Sequence, residues 1–297
     1  MRVVEDVQPP PSVTPVVIGG ARGGPPLATV LRKDNWRLQP ALTVFGLTVF
    51  VVYGTWAAFR DNHWYVGFTA VGGGRDYLSP FYSPCVTHAC QSAGYVWGPL
   101  TGSWWSVSPA LLILIFPLSF RATCYYYRKA YYRSFFGDPP GCAIREPKAL
   151  AAISPTGRGT AYRGETRLPF ILNNLHRFLL YFAVGFMVVL GIDAYQAFSY
   201  HGHWGIGLGS VIMLLNVIFL AGYTFGCHSL RHLVGGGLDC FSCALAGPQR
   251  HQAWKGVSWL NARHSTFAWI SLFTLIFTDV YIRLLQYGVI HDPHLGF

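Results

Sequence analysis

Five long apolar stretches constrain this chain more than any other feature of its sequence. They lie at about 40–60, 107–127, 177–198, 207–226 and 264–286. A membrane-spanning helix needs roughly 20 mainly apolar residues, and the stretch from Ile206 to Phe225 contains no charge at all. Helices satisfy their own backbone polar groups in lipid. The stretches therefore predict an all-α integral membrane protein, a bundle of five transmembrane helices.

The composition agrees with a membrane protein. The chain is 52% hydrophobic and 11% charged, whereas soluble domains are about 25% charged. Residues 1–40 are rich in Pro and Gly and contain no apolar core of a secretory signal. We expect residues 1–38 to form an irregular N-terminal arm and residues 39–297 to form the transmembrane domain.

Lys and Arg residues predict the orientation of the bundle. Five of them precede the first stretch, nine lie between Arg121 at the end of the second stretch and Arg167, and four follow the fourth. The segment from Arg60 to Ser106 carries only two, and the C-terminal tail carries none. We therefore expect the N-terminus in the cytoplasm and the C-terminus outside. This asymmetry accounts for most of the net charge of +10, so nucleic-acid binding is not indicated.

A group of potential metal ligands follows the fourth stretch. It begins with Cys227-His228-Ser229-Leu230-Arg231-His232 and ends with Cys240-Phe241-Ser242-Cys243. On a helix, His228 and His232 lie one turn apart on the same face. Cys240 and Cys243 have the spacing at which two thiolates bind one metal atom. These four residues, the motif set, predict a cytoplasmic metal site, with Cys227 as a spare thiol.

Two metal centres take two Cys and two His ligands. A structural zinc site is one, and a Rieske-type [2Fe–2S] cluster is the other. The sequence alone leaves both open. A haem b between helices is a further alternative, for which only His176 and His264 are suitably placed, both near the cytoplasmic boundary.

The remaining cysteines and the charges within the apolar stretches have structural interpretations. Cys85 and Cys90 predict a disulfide that closes the outer loop, while Cys124 and Cys142 are expected to be unpaired thiols. Asp279 and Arg283 lie four residues apart, and a charge at such depth is normally paired. We expect an ion pair there, with a proton path as the alternative. Asp193 lies in the same outer part of the third stretch.

Taken together, three features resemble a known family. They are the five spans, the run Cys124-Tyr125-Tyr126-Tyr127-Arg128-Lys129-Ala130-Tyr131-Tyr132, and the motif from Cys227 to Cys243. They are similar to the cytochrome b-like membrane-anchor subunit of actinobacterial type F succinate dehydrogenase, a respiratory complex II. The resemblance covers the chain from about residue 35 to its end.

The resemblance implies a function in electron transfer. Electrons would pass from flavoprotein and iron–sulfur subunits on the cytoplasmic face, through a Rieske-type [2Fe–2S] cluster, to a quinone, with menaquinone expected, in the bacterial plasma membrane. The subunit would catalyse nothing alone. By motif, the cluster ligands would be His228, His232, Cys240 and Cys243. By position near the motif, the quinone pocket would be lined by Tyr223, Ser229, Arg231, Trp259, Asn261 and His264.

A rival interpretation comes from a different class of protein. In it, a zinc site fixes the fourth span to a cytoplasmic loop of a non-redox membrane protein, such as a transporter or an assembly factor. Zinc has no redox chemistry, so iron content separates the two interpretations.

Overall fold

The computed structural model is helical throughout the bundle. It describes residues 37–67, 76–86, 108–136, 171–200, 203–235, 238 and 240–295. The helices are α1 (Leu38–Arg60), α2 (Ala110–Ile113), α3 (Ile115–Thr123), α4 (Tyr125–Phe136), α5 (Ile171–Gln196), α6 (Leu208–Phe225), α7 (His228–Gly235), α8 (Gly247–Ala262) and α9 (His264–Gln286).

Four of these helices, α1, α5, α6 and α9, are long and apolar enough to cross a membrane. The bent pair from Ala110 to Phe135 would be a fifth span. The prediction of a helical membrane protein is confirmed, and four of the five predicted stretches match a single continuous helix. The predicted arm, residues 1–38, falls almost entirely outside the described residues, so that domain boundary stays a prediction.

The second stretch differs from the prediction because it is broken. The predicted stretch 107–127 includes the first of the tyrosines that follow Cys124, but the chain bends by 74° between α3 and α4. At the bend, Cys124 has φ −57° and ψ 128°, outside the helical region. The hydroxyl of Thr123 donates back to the carbonyl of Ser119 at 2.8 Å, a contact that often accompanies helix bending. The break turns α4 sideways and leaves the Cys124 side chain buried.

Helices α6 and α9 pack closely at the centre of the bundle. A Cβ added to Gly222 would lie 2.4 Å from the Phe267 ring, so only glycine allows this approach. Asn216, Ser271 and Thr278 are buried along the two helices. The hydroxyl of Thr274 bonds to the side-chain oxygen of Asn216 at 3.3 Å. Hydrogen bonds between polar side chains of neighbouring helices are a common form of packing in membranes.

Short strands close the end of the bundle that carries the C-terminal tail. They pair antiparallel as β1 (Tyr65–Val66) with β2 (Tyr77–Leu78), β3 (Ser199–Tyr200) with β4 (His203–Trp204), and β5 (Ile206–Gly207) with β6 (His294–Leu295). The Asp292 carboxylate holds the tail in place, because it accepts bonds from the hydroxyls of Tyr77 and Tyr281 and from the backbone N–H of Gly209.

Residues 76–86, here called the plug segment, insert into the same end of the bundle. Ser79 donates to Asp279, and Ser83 donates to Asp193. Nearly every side chain of the segment is buried. The predicted ion pair between Asp279 and Arg283 is confirmed, with 2.8 Å between the Asp279 carboxylate and Arg283 Nε. The plug segment thus joins α5 and α9 through two buried carboxylates.

The predicted orientation can be tested at two exposed residues. Val289 lies just beyond α9, and Leu245, 94% exposed, lies in the turn before α8. We expect a membrane-impermeant thiol reagent added to intact cells to label a Val289→Cys variant and to leave a Leu245→Cys variant unlabelled until the cells are lysed. Labelling of Leu245→Cys alone in intact cells would invert the orientation.

Candidate metal and quinone site

Two thiols and two imidazoles meet at the end of the bundle opposite the plug segment. Both cysteines are free and buried, and His176 is only 6% exposed. We call these side chains the buried quartet. Its members are Cys124, His176, Cys227 and His264.

Each member of the buried quartet lies where a helix begins or ends. Cys124 occupies the bend between α3 and α4, and His176 lies in the second turn of α5. Cys227 separates α6 from α7, and His264 is the first residue of α9. Antiparallel packing brings these four points to one end of the bundle, although they are up to 140 residues apart in sequence.

His176 is held in one orientation by its surroundings. Its Nδ1 lies 3.0 Å from the carbonyl oxygen of Phe120, and its ring stacks on the Phe120 ring at 4.4 Å. A carbonyl can only accept, so Nδ1 carries the proton. Nε2 is therefore the unprotonated nitrogen, and it lies 3.0 Å from the sulfur of Cys227. Metal-bound histidines in proteins are oriented in this way, through a carbonyl on the second nitrogen.

His264 leaves its second nitrogen without a partner. Its Nε2 lies 3.6 Å from the sulfur of Cys124. The Nδ1 atom is buried and has no hydrogen-bond partner among the described residues. The ring stacks on Tyr223 at 4.9 Å, and the Tyr223 hydroxyl is also buried without a hydrogen-bond partner there, with Cys124 close by. The Tyr223 hydroxyl and His264 Nδ1 are thus two buried polar atoms without a hydrogen-bond partner on the neighbouring side chains that the structure describes, and such atoms call for an absent partner.

Each thiol of the buried quartet lies next to one imidazole, Cys124 beside His264 and Cys227 beside His176. Burial, together with the nearby Cys124, raises the pKa of the Cys227 thiol to about 11. A thiol with a raised pKa is inert by itself, whereas coordination to a metal deprotonates it.

The donor set of the buried quartet suits a metal centre with two metal atoms. Within the part of the chain that is described, no three His, Cys, Asp or Glu side chains are arranged around a single metal ion. A Rieske cluster does not need such an arrangement, because one iron takes two thiolates and the other takes two imidazoles.

The motif set occupies a different place. His228 and His232 are exposed on α7. Partial burial and the neighbouring Arg231 and His232 lower the pKa of His228. Cys240 and Cys243 form a disulfide, which offers no thiolate to a metal. The structure does not assemble these four ligands, and part of the glycine turn between them is outside the described residues, so their assignment stays a prediction.

An apolar cavity of about 300 Å³ extends from the buried quartet toward the plug segment. Phe120, Arg121 and Tyr223 line it near the quartet, and Pro80 and Phe81 of the plug segment line its far end. Ligand pockets are mostly apolar with a few polar groups at one end. The cavity has mostly apolar walls, with Arg121 and Tyr223 as polar groups at the end near the buried quartet.

The predicted quinone residues divide into two groups. Tyr223 lines the cavity, and the His264 ring stacks on the Tyr223 ring. The other four make contacts within the segment that follows α6. Arg231 Nε donates to Ser258, and Asn261 donates to the carbonyl of Gly226. Trp259 lies under Arg263, and the Ser229 backbone N–H points to the Cys227 sulfur. Their assignment to a quinone pocket stays a prediction.

Cys85 is buried and disulfide-bonded. Its expected partner, Cys90, lies outside the described residues, as does Cys142. The pairing of Cys85 with Cys90 therefore stays a prediction.

The position of the four quartet residues along their spans points to the buried quartet, whereas no short sequence motif does. The sequence predicts an unpaired thiol at Cys124 and a spare thiol at Cys227, and both are free. However, given the predicted orientation, all four residues fall at the cytoplasmic end of a span. The predicted topology thus places the four residues at the same depth in the membrane, but it does not show that their side chains are in contact.

The fold and the site together define a class of protein. They describe a multi-pass membrane protein with a thiol and imidazole cluster buried at one end of its helices and an apolar cavity beside it. A family model of the actinobacterial succinate dehydrogenase subunit SdhC matches residues 38–288. The chain belongs to this family.

A solved structure supports the same assignment. The chain is similar to a chain of the Mycobacterium smegmatis Sdh1 complex in the apo form, with 44% sequence identity and a TM-score of 0.72. The match covers 90% of this chain and 94% of that one. No curated protein matches the chain.

Proposed function

We propose that this subunit carries electrons from a soluble iron–sulfur subunit, through a Rieske-type [2Fe–2S] cluster, to a quinone in the bacterial plasma membrane. The flavoprotein and iron–sulfur subunits would dock on the cytoplasmic face, and the subunit would act only within that complex. Membership of the succinate dehydrogenase family supports the overall role. The buried quartet is the observation that supports the cluster.

The residues of the buried quartet fit such a cluster. Cys124 and Cys227 would supply the two thiolates, and His176 and His264 would supply the two imidazoles. When bound, the cluster would accept and pass on one electron at a time. The chain's own contribution is to hold the ligands: the carbonyl of Phe120 fixes His176, and the backbone N–H of Ser229 points to the Cys227 sulfur at 3.4 Å.

The quinone would bind in the apolar cavity with its head group near Tyr223 and His264. The Tyr223 hydroxyl and His264 Nδ1 are the two orphaned polar atoms, and each can donate a hydrogen bond to a quinone carbonyl. Apolar walls suit the ring and its isoprenoid tail. Menaquinone is the expected substrate, on the resemblance described above.

Metal analysis of the purified complex tests this proposal. Because the rest of the enzyme also contains iron, the measurement compares wild type with a Cys124→Ser/Cys227→Ser variant. We expect the variant to lose about two iron atoms per subunit, together with the EPR signal of a histidine-ligated cluster. Loss of one zinc atom with no change in iron would support the structural zinc alternative instead.

A further inference from the structure

Arg121 is a half-buried positive charge at the junction of two apolar cavities. One is the cavity of about 300 Å³ described above, and the other has a volume of about 400 Å³. Both are lined by Phe50, Val51, Leu118 and Arg121. The guanidinium lies 4.5 Å from the centre of the Tyr223 ring, so it is close to one of the two orphaned polar atoms.

The contacts of Arg121 leave part of its guanidinium free. It donates from one nitrogen to the Tyr127 hydroxyl at 2.5 Å and the Ala268 carbonyl at 3.4 Å, and from the other to Ser271 at 2.8 Å. A guanidinium has five N–H groups. These three contacts leave two donors, including Nε–H, with no acceptor among the described residues.

The comparison with Arg283 shows what Arg121 lacks. Arg283 also lies within a span, and it pairs with the carboxylate of Asp279. No carboxylate of the described residues pairs with Arg121, whose contacts are neutral hydroxyls, a carbonyl and the faces of Tyr127 and Tyr223. A charge in a membrane is costly, so an ionisable residue there is a candidate functional residue.

We propose that Arg121 binds the quinone head group and stabilises the negative charge that develops on its carbonyl oxygens during reduction. This inference rests on the proposed function, which places the quinone in the adjacent cavity. Two free N–H donors in a planar fork can bind such an oxygen. The nearby faces of Tyr127 and Tyr223 hold the guanidinium without neutralising it.

A cation at this point would favour the chemistry of quinone reduction. Oxidation of succinate to fumarate releases two electrons and two protons, and reduction of a quinone to a quinol takes up two of each. Electrons arrive singly through the relay, whereas the protons come from water. Negative charge therefore builds up on the quinone oxygens before protonation, and a fixed positive charge in a water-poor site lowers its energy.

Three variants of the complete complex test the role of Arg121. Arg121→Gln removes the charge, Arg121→Lys keeps the charge but loses the fork, and Arg177→Gln removes an exposed charge from the same end of the bundle. We expect Arg121→Gln to lower kcat/KM for a short-chain naphthoquinone by about 10- to 100-fold. Arg121→Lys should recover part of this loss, and Arg177→Gln should match wild type.

Two controls separate this role from a structural one. Succinate oxidation with a soluble dye and the EPR signal of the cluster should both be unchanged in Arg121→Gln. Normal quinone reduction in a fully assembled Arg121→Gln complex would overturn the inference. The inference would also be overturned if Arg121→Gln lost the EPR signal of the cluster while Arg121→Lys kept full quinone reduction.

A binding measurement on the wild-type complex does not depend on any variant assembling. 2-Hydroxy-1,4-naphthoquinone is ionised at neutral pH, and 1,4-naphthoquinone is the neutral comparison. We expect the ionised compound to inhibit at concentrations about 10-fold lower or more, since a hydrogen bond to a charged group is stronger than one to a neutral group. Equal inhibition by the two compounds would contradict a cation at the head group. The difference in inhibition does not depend on which residues bind the cluster. The Arg121 inference can therefore be contradicted while the cluster assignment stands.

Discussion

Replacement of Cys124 and Cys227 by Ser is expected to abolish quinone reduction while succinate oxidation with a soluble dye continues. Both thiols are buried and free, and each lies within 3.6 Å of a histidine nitrogen. If they are cluster ligands, their loss breaks only the last step of electron transfer. We expect at least about a 100-fold loss, since even residues that merely orient ligands typically contribute 10- to 100-fold.

The matched control for this experiment is the other cysteine pair. Cys240→Ser/Cys243→Ser removes an exposed disulfide outside the bundle, and we expect it to keep the EPR signal and most of the quinone reduction. The opposite result, loss of the signal in this control and retention in the Cys124→Ser/Cys227→Ser variant, would return the cluster to the motif set. Both complexes are to be compared at equal flavin content, so that assembly does not affect the result.

The second large effect concerns the buried ion pair beside the plug segment. Asp279 and Arg283 are almost completely buried, and the Asp279 carboxylate also accepts bonds from Ser79 and Tyr53. An Asp279→Asn variant leaves the Arg283 charge without a partner. We expect it to lower the free energy of unfolding by about 3 to 5 kcal/mol, the usual cost of an uncompensated buried charge.

A double variant provides the control for the ion pair. Asp279→Asn/Arg283→Gln removes both charges, and we expect it to recover most of the loss, because paired removal of buried charges is often nearly neutral. Thermal unfolding of the purified complex in detergent, with the three proteins compared at one pH, measures both effects. Equal stability of wild type and Asp279→Asn would show that the pair is not what holds this end of the bundle.

The broken second span shows how a local deviation serves the site. A straight helix through residue 124 would continue the α3 axis, whereas the observed bend turns α4 away from it by 74°. Tyr127 on the turned helix then bonds to both Arg121 and the carbonyl of Ala268 on α9. The same bend thus places a proposed ligand and fixes the charged residue next to the cavity.

Some of this molecule follows directly from the sequence. Four spans agree with the predicted stretches to within about six residues, because the requirement for roughly 20 apolar residues depends only on local composition. The Asp279–Arg283 pair was also predictable, since residues four apart on a helix are neighbours.

The buried quartet could not be derived in the same way. The motif set was prominent because its residues are close together in sequence, yet the structure leaves His228 and His232 exposed and joins Cys240 to Cys243. The contacts between Cys124 and His264 and between His176 and Cys227 join residues 140 and 51 positions apart.

The sequence by itself thus determined the spans, their expected orientation and the local ion pair. Only the tertiary structure decided which thiols and imidazoles meet. Composition and spacing act along the chain, whereas the meeting of four separate helix ends depends on how the helices pack against one another, through close approaches such as that of Gly222 to Phe267.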